Sequence, residues 1–396
     1  MRVQLSTPNV RVFAGPGLAA AAAGAIAAGA LVSIAWPRRA HAGTTEHTVG
    51  YTLHYFADSD RVRVYSNYGD YTLGLSEDAR VYVQWNRQVV VVPAVDAPPG
   101  SAEAVDAITS ASRPVSSRFG AFEDFVKTRN SVQAELTANR CRAGYYVSKE
   151  TDYLAQQVSG NVDHDLLDGN LNLSAGSSYG WDAIEPLQDD DTQTDDALKT
   201  TLHGNLVATE TLTRSTTLRV GGEVNFVRGL QHNPYRNVYA AGGPAAERHP
   251  DRRLRRDAYV KLHQYLNNRS SIKLDYKYYA DDWGVASHTM GAKLSQYVTG
   301  KVIVGYGYRY YDQGAADFFR DEYEDADGIG GYRTGDYRLG EFAAHLFGTD
   351  LDWDLGRPLA GIEFDGVLHL TVRYERYFNS NNFSANIFES GFAFAF

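Results

Sequence analysis

Strict alternation of apolar and polar residues over unusually long stretches is the feature that most limits what this chain can fold into. At the C-terminus Phe388, Ser390, Phe392, Phe394 and Phe396 share one face, and Glu389, Gly391, Ala393 and Ala395 the other. Over 301–311, Val302, Val304, Tyr306, Tyr308 and Tyr310 alternate with Lys301, Ile303, Gly305, Gly307, Arg309 and Tyr311. The same period of two recurs at 198–208, 218–228, 272–281 and 368–375. A period of two means strands with one apolar and one polar face. Soluble strands run about five or six residues, whereas a tilted strand needs about 9–11 residues to cross a bilayer. Strands this long predict an apolar face against lipid and a polar face against an enclosed lumen.

The segmentation predicts roughly 16 strands in a closed antiparallel transmembrane β-barrel, with the thirteenth to fifteenth at about 301–313, 336–350 and 364–376. Links near 94–125, 182–196, 229–252 and 314–335 are long, and those near 164–167, 211–215, 267–269 and 298–300 are short. With Phe396 on the periplasmic side, these long links all fall outside, as barrels of this kind arrange them. The link 351–363 is long for a periplasmic turn. About 16 strands leave an aqueous channel unless something plugs it. No part of the chain stands out as a spare plug domain, and link 94–125 is the segment expected to fold inward.

The N-terminus reads as an export signal. Arg2 and Arg11 precede an apolar run from about Phe13 to Trp36, and Ala40-His41-Ala42 follows. A positive start, an apolar run and an A-x-A site predict cleavage after Ala42, giving a signal peptide at 1–42 and a barrel at 43–396. Beyond 42 there is no long apolar run, and lipid satisfies no unpaired backbone group, so closed barrels remain. Residues 1–42 hold four Arg and no acid, so removing them takes the formal charge from -10 to -14. An acidic chain argues against nucleic acid as a partner. The single cysteine, Cys141, excludes a disulfide framework and covalent c-type haem.

On the lumen face the alternation places Lys199, His203, Arg219, Glu223, Lys261, His263, Lys273, Asp275, Lys277, Arg309, Arg373 and Glu375. These are candidate selectivity residues or wall-bracing ion pairs, and their mixed signs predict no strong ion preference. Asp189, Asp190, Asp191 and Asp195 form an acidic run that reads as a solvated outer loop and only weakly as a cation site. The basic stretch 248–256 suits either lipopolysaccharide phosphates or pairing with acidic loops. Ser287 and His288 are adjacent, so they lie on opposite strand faces and form no dyad. No hydrolase, zinc or phosphate-loop motif is present, so neither an enzyme nor a cofactor is expected.

Ser148-Lys149-Glu150-Thr151-Asp152-Tyr153, Tyr279-Ala280-Asp281-Asp282-Trp283-Gly284 with Ser287-His288-Thr289, and Tyr308 to Gln313 resemble the bacterial domain-of-unknown-function family numbered 3570. The resemblance runs from about Asp60 onward. Around Asp106 to Pro114 the chain departs from that family by lacking a glycine and delaying a proline. The resemblance implies an outer-membrane barrel without an established activity. The barrel reading puts Glu150, Asp152 and Tyr153 at one outer tip, and Asp281, Asp282, Trp283 and Gly284 at another. Phe392, Phe394 and Phe396 resemble the C-terminal signal that barrel-assembly machinery reads. The leading expectation is therefore an outer-membrane channel of unknown solute, surrounded by lipid and lipopolysaccharide. The alternative is a non-conducting barrel that holds a periplasmic or surface protein, including an electron-transfer or flavin-linked system.

Overall fold

In the computed structural model, the described residues are 46–92, 125–186, 197–240, 243–325, 327–356 and 366–396. The signal peptide, the inward role of link 94–125 and the run Asp189, Asp190, Asp191, Asp195 lie outside them. The first half of the chain forms β1 (His47–Asp58), β2 (Arg63–Ser76), β3 (Ala79–Val92), β4 (Phe125–Ala138), β5 (Cys141–Lys149), β6 (Tyr153–Leu166), β7 (Leu171–Ile184), β8 (Ala197–Thr213) and β9 (Thr216–Gly229). Two short strands follow, β10 (Asn237–Ala240) and β11 (Gly243–Ala246). The second half forms β12 (Arg252–Leu266), β13 (Ser270–Asp281), β14 (Ala286–Tyr297), β15 (Val302–Gln313), β16 (Phe342–Gly356), β17 (Val367–Asn379) and β18 (Ser384–Ala395).

Each long strand pairs antiparallel with its sequence neighbours, β9 pairs with β12, and β18 pairs with β1. The result is a closed barrel of 16 strands, with β10 and β11 as a separate hairpin. Closure leaves the wall no edge, and its ladders run unbroken apart from register shifts at Leu75, Leu212 and Leu355. The last strand makes the seam: the His47 and Phe396 backbones exchange hydrogen bonds of 2.9 and 2.8 Å, and their rings stack at 5.3 Å.

The alternation fixes which side each residue faces. Leu198, Leu202 and Leu206 on β8 are 70, 52 and 69 % exposed, and Tyr306, Phe347, Phe388 and Phe392 behave likewise on their strands. Such a wall has no apolar core, because its greasy residues point away from the axis. Among the described residues no helix is long and apolar enough to cross a membrane.

Both chain ends lie at the same rim. Six connections there are short, 77–78, 139–140, 167–170, 214–215, 267–269 and 298–301, and the longer link 357–366 lies at the same rim. Asn139 (φ 51°) and Arg269 (φ 62°) take the left-handed conformation that such tight turns need. The opposite rim carries the links 93–124, 185–196, 230–251 and 314–341.

Several strands are shifted by up to three residues from the sequence reading, such as β17 against the expected 364–376, and two boundaries differ more. The strand expected at 336–350 begins at Phe342, because Tyr337–Leu339 is a 3-10 turn started by Asp336, whose side chain accepts from Arg338 N. Leu339 is buried there and so imitates a strand residue in the pattern. At its other end β16 continues to Gly356, paired opposite Leu368. The link expected at 351–363 therefore begins only after Gly356.

Candidate functional site

The cross-strand register gathers the lumen candidates onto a single face. Arg219 stands opposite Lys261, Lys261 opposite Asp275, Asp275 opposite Gly291, and Gly291 opposite Arg309. In the rows on either side Tyr259 faces Lys277 and His263 faces Lys273, and two rows away Glu223 faces Asp257. Lys199 lies opposite Asp182, and His203 opposite Ser178 and Asn225. Arg373 lies between Asp350 and Glu389, and Glu375 between Gly348 and Ile387.

This face encloses space. A cavity of about 550 Å³ is lined by Glu223, Lys261, Asp275, Lys277, Arg309 and their neighbours on five strands, and also by Arg338 from link 314–341. Within the wall Lys277 pairs with Asp257 at 2.8 Å, Lys293 with Asp350 at 2.6 Å, and Lys199 with Asp182 at 2.9 Å.

Ser287 is buried on the lumen face, opposite Tyr279 and Gln313. His288 is on the other face, with its Nδ1 2.8 Å from the Tyr276 hydroxyl. The two side chains point apart, as the pleat requires.

Sequence reasoning gave the long links 229–252 and 314–335, found here as 230–251 and 314–341, but missed that they turn in over the mouth. At Gly229 the chain leaves β9 with φ 111°, and a Cβ there would lie 2.0 Å from the Leu198 carbonyl oxygen, so only glycine fits. The following loop turns over the lumen, and the Tyr235 hydroxyl donates to the Asp152 carboxylate on the β5–β6 tip. Link 314–341 also turns inward, where Gln313 Nε2 donates to the carbonyls of Arg338 (2.9 Å) and Gly340 (2.6 Å).

The two links meet in a water-excluding junction. Ala240 bridges to Tyr323 and Arg248 to Arg333. Val238, Ala240 and Tyr323 form one small apolar cluster, and Trp283, Val285, Ala316, Phe318 and Leu339 another. Between these clusters lies a buried ionic group centred on Glu247, whose side chain is fully buried. It accepts from Thr334 Oγ (2.6 Å), Gly335 N (3.0 Å) and Asn233 N (3.0 Å), with Arg236 and His249 3.7 and 3.3 Å away. Burial opposes its ionisation, but these partners outweigh burial and hold the carboxyl below its ordinary range. Asp336 is largely buried, yet Arg338 at 2.7 Å and Arg236 at 3.3 Å bring it down to about 2. Burial, with His249 close by, pushes the His232 imidazole below its usual value.

The outer-tip motifs anchor this cap. Glu150 and Asp152 both pair with Lys127, at 2.7 and 3.2 Å. The Tyr153 hydroxyl donates to Asp182 and receives from Lys199, each at 2.5 Å. The Asp281 side chain accepts from Arg253 Nε (2.9 Å), Tyr279 Oη (2.6 Å), Trp283 N (2.9 Å) and Val285 N (3.1 Å). Asp282 Oδ1 accepts from Leu254 N at 2.9 Å. Gly284 (φ 88°) admits Asp317, whose oxygen would lie 2.2 Å from an added Cβ. The Arg253 guanidinium lies over the Trp283 ring at 4.1 Å. The basic stretch 248–256 is thus divided: Arg248 and Arg253 serve the cap, while Arg252 and Arg256 are exposed.

Among the described residues no cluster of His, Cys, Asp and Glu has the geometry to hold a metal ion. A closed wall around a charged lumen, with folded loops at one mouth, defines a porin-like β-barrel architecture. The chain belongs to the family described as "Protein of unknown function (DUF3570)", whose profile matches residues 18–387. No curated protein matches it significantly. Among solved structures, a loop L8 deletion mutant of OmpT, an outer membrane protein of Vibrio cholerae, is 9% identical, with 90% of this chain and 100% of that chain covered and a TM-score of 0.43. OpdK of Pseudomonas aeruginosa with vanillate is 9% identical, with 89% and 98% covered and a TM-score of 0.39. A mutant of the ferric enterobactin receptor PfeA of Pseudomonas aeruginosa is 10% identical, with 85% and 54% covered and a TM-score of 0.42.

Proposed function

We propose that the mature chain is a channel of a Gram-negative-type outer membrane that passes small hydrophilic solutes. Its polar lumen is narrowed at the outer mouth by links 230–251 and 314–341. The observation that carries this reading is the opposite polarity of the two faces of one closed wall. An apolar band such as Leu198, Leu202 and Leu206 is stable only against lipid, and the charged opposite face only against enclosed water. On this reading Lys199, His203, Arg219, Glu223, Lys273, Asp275, Lys277, Arg309, Arg373 and Glu375 form the solute-facing lining. Phe392, Phe394 and Phe396 present the insertion signal to the assembly machinery after cleavage following Ala42, and lipopolysaccharide surrounds the outer rim. Reconstitution in a planar bilayer tests the channel: discrete conductance steps are expected, and their absence rejects it.

The packed junction over the mouth favours one competing reading, a non-conducting barrel that holds a periplasmic or surface protein. Affinity capture from intact membranes separates the two, since the competing reading requires a stoichiometric companion and no conductance.

A further inference from the structure

The lumen lining has mixed signs, but the two signs do not stand equally far into the water. Asp70, Asp275 and Asp350 each lie flat on the wall over a glycine of a neighbouring strand. A Cβ added at Gly50 would be 2.5 Å from Asp70 Oδ1, one at Gly291 2.4 Å from Asp275 Oδ1, and one at Gly305 2.5 Å from Asp350 Oδ1. These glycines make room for carboxylates that would otherwise project toward the axis. The bases have longer stems and no such recess. In the ion pairs of the wall the base is the more exposed partner: Lys277 40% against Asp257 11%, Lys293 35% against Asp350 13%, Arg373 46% against Glu389 30%.

Four further bases, Arg219, Lys261, Lys273 and Arg309, are exposed on the lumen face and make no ion pair among the described residues. They sit on β9, β12, β13 and β15, close together in the register. Arg219, Lys261 and Arg309 share a row in which the acid is Asp275, laid over Gly291, and Lys273 stands in the adjacent row opposite His263 and Lys293.

We propose that this arrangement makes the lumen a path for small anions: the glycines recess the carboxylates, so the unpaired bases on β9–β15 set the potential along the axis. The inference rests on the channel reading and names its solute class. A low-dielectric wall focuses such a field, and a mean potential of about 1 kT favours monovalent anions over cations about sevenfold. Because the Debye length is about 10 Å at 0.1 M salt and about 3 Å at 1 M, the preference weakens as salt rises.

Full-length mature protein in an uncharged phosphatidylcholine bilayer under a KCl gradient tests this. The expected result is a reversal potential of chloride sign, severalfold in permeability and larger at low salt. Joint replacement of Arg219, Lys261, Lys273 and Arg309 by Gln removes it. Gly291→Ala, which lifts Asp275 off the wall without changing any charge, lowers it. Conductance with a zero or potassium-sign reversal potential in the unaltered protein overturns this inference and leaves the channel standing. Absence of conductance removes both.

Discussion

The wall and the mouth of this barrel meet the burial problem in opposite ways. The wall turns its leucines, tyrosines and phenylalanines outward and stays together through a closed ladder of backbone hydrogen bonds. The mouth is built like a small soluble protein, with Trp283, Phe318 and Leu339 packed inward around buried ion pairs. The difference follows from the solvent each part meets. Lipid rewards an apolar exterior, whereas water at the rim forces the links to hide their apolar residues against one another. The mouth should therefore respond to changes that leave the wall intact, and the reverse.

The largest effects separate the two regions most cleanly. Glu247→Gln leaves Arg236 and His249 buried around a neutral partner, and loss of one member of such a group costs about 3–5 kcal/mol. Links 230–251 and 314–341 should become sensitive to protease while heat-modifiable migration on gels is unchanged. If the whole barrel unfolds instead, the mouth is not an independent unit. Trp283→Ala should behave in the same way, since removing a buried Trp costs about 3–5 kcal/mol.

Leu206→Arg attacks the wall. Arg on the lipid face near the bilayer midplane costs about 2–4 kcal/mol. Reduced folding yield in lipid vesicles is expected, with mouth contacts unaltered in whatever protein folds. Equal yield to the unaltered protein would show that Leu206 does not face lipid.

Acid should act on the mouth first. Asp336 is held at about 2 against an ordinary 3.8, so its contribution is complete above about pH 4 and is lost as pH falls through about 2. The size of that shift corresponds to about 2 kcal/mol. His232 acts in the same sense at higher pH: its imidazole is kept below 6.5, so stability drops as pH falls below 6.5. Hydrogen exchange of the two links between pH 7 and pH 2 should rise before that of the strands.

Gly229→Ala gives a smaller effect. Strained left-handed backbone costs about 1–3 kcal/mol, and the added Cβ, 2.0 Å from the Leu198 carbonyl oxygen, must push the start of link 230–251 aside, so the space lined by Lys199, Tyr235 and Arg338 should change shape while the wall stays closed. Altered single-channel conductance at unchanged heat-modifiability would show it.

Much of the wall was legible in the residues. A period of two depends only on which neighbour points which way, so the run Val302 to Tyr310 fixed both a strand and its two faces. The register then brought Arg219, Lys261, Asp275 and Arg309 into one row. Errors arose where a buried residue outside the wall imitated the pattern, as Leu339 did ahead of β16. The mouth was not legible, because its pairs span long separations: Glu247 meets Thr334, and Tyr235 meets Asp152. A dense set of polar residues within the long links was the only available signal, and a solvated loop carries the same one. Gly229 could have been noted as a glycine at a strand end, though not its approach to the Leu198 carbonyl.

By itself the sequence determined that the chain closes into a long-stranded barrel and which side of each strand carries charge, because alternation is a local property of the backbone. Tertiary structure alone decided that two outer links fold back over the mouth. It also decided that Asp70, Asp275 and Asp350 lie down against glycines while Arg219, Lys261, Lys273 and Arg309 stand exposed in the lumen. Both depend on which side chain meets which across strands far apart in the chain, and no local pattern records that.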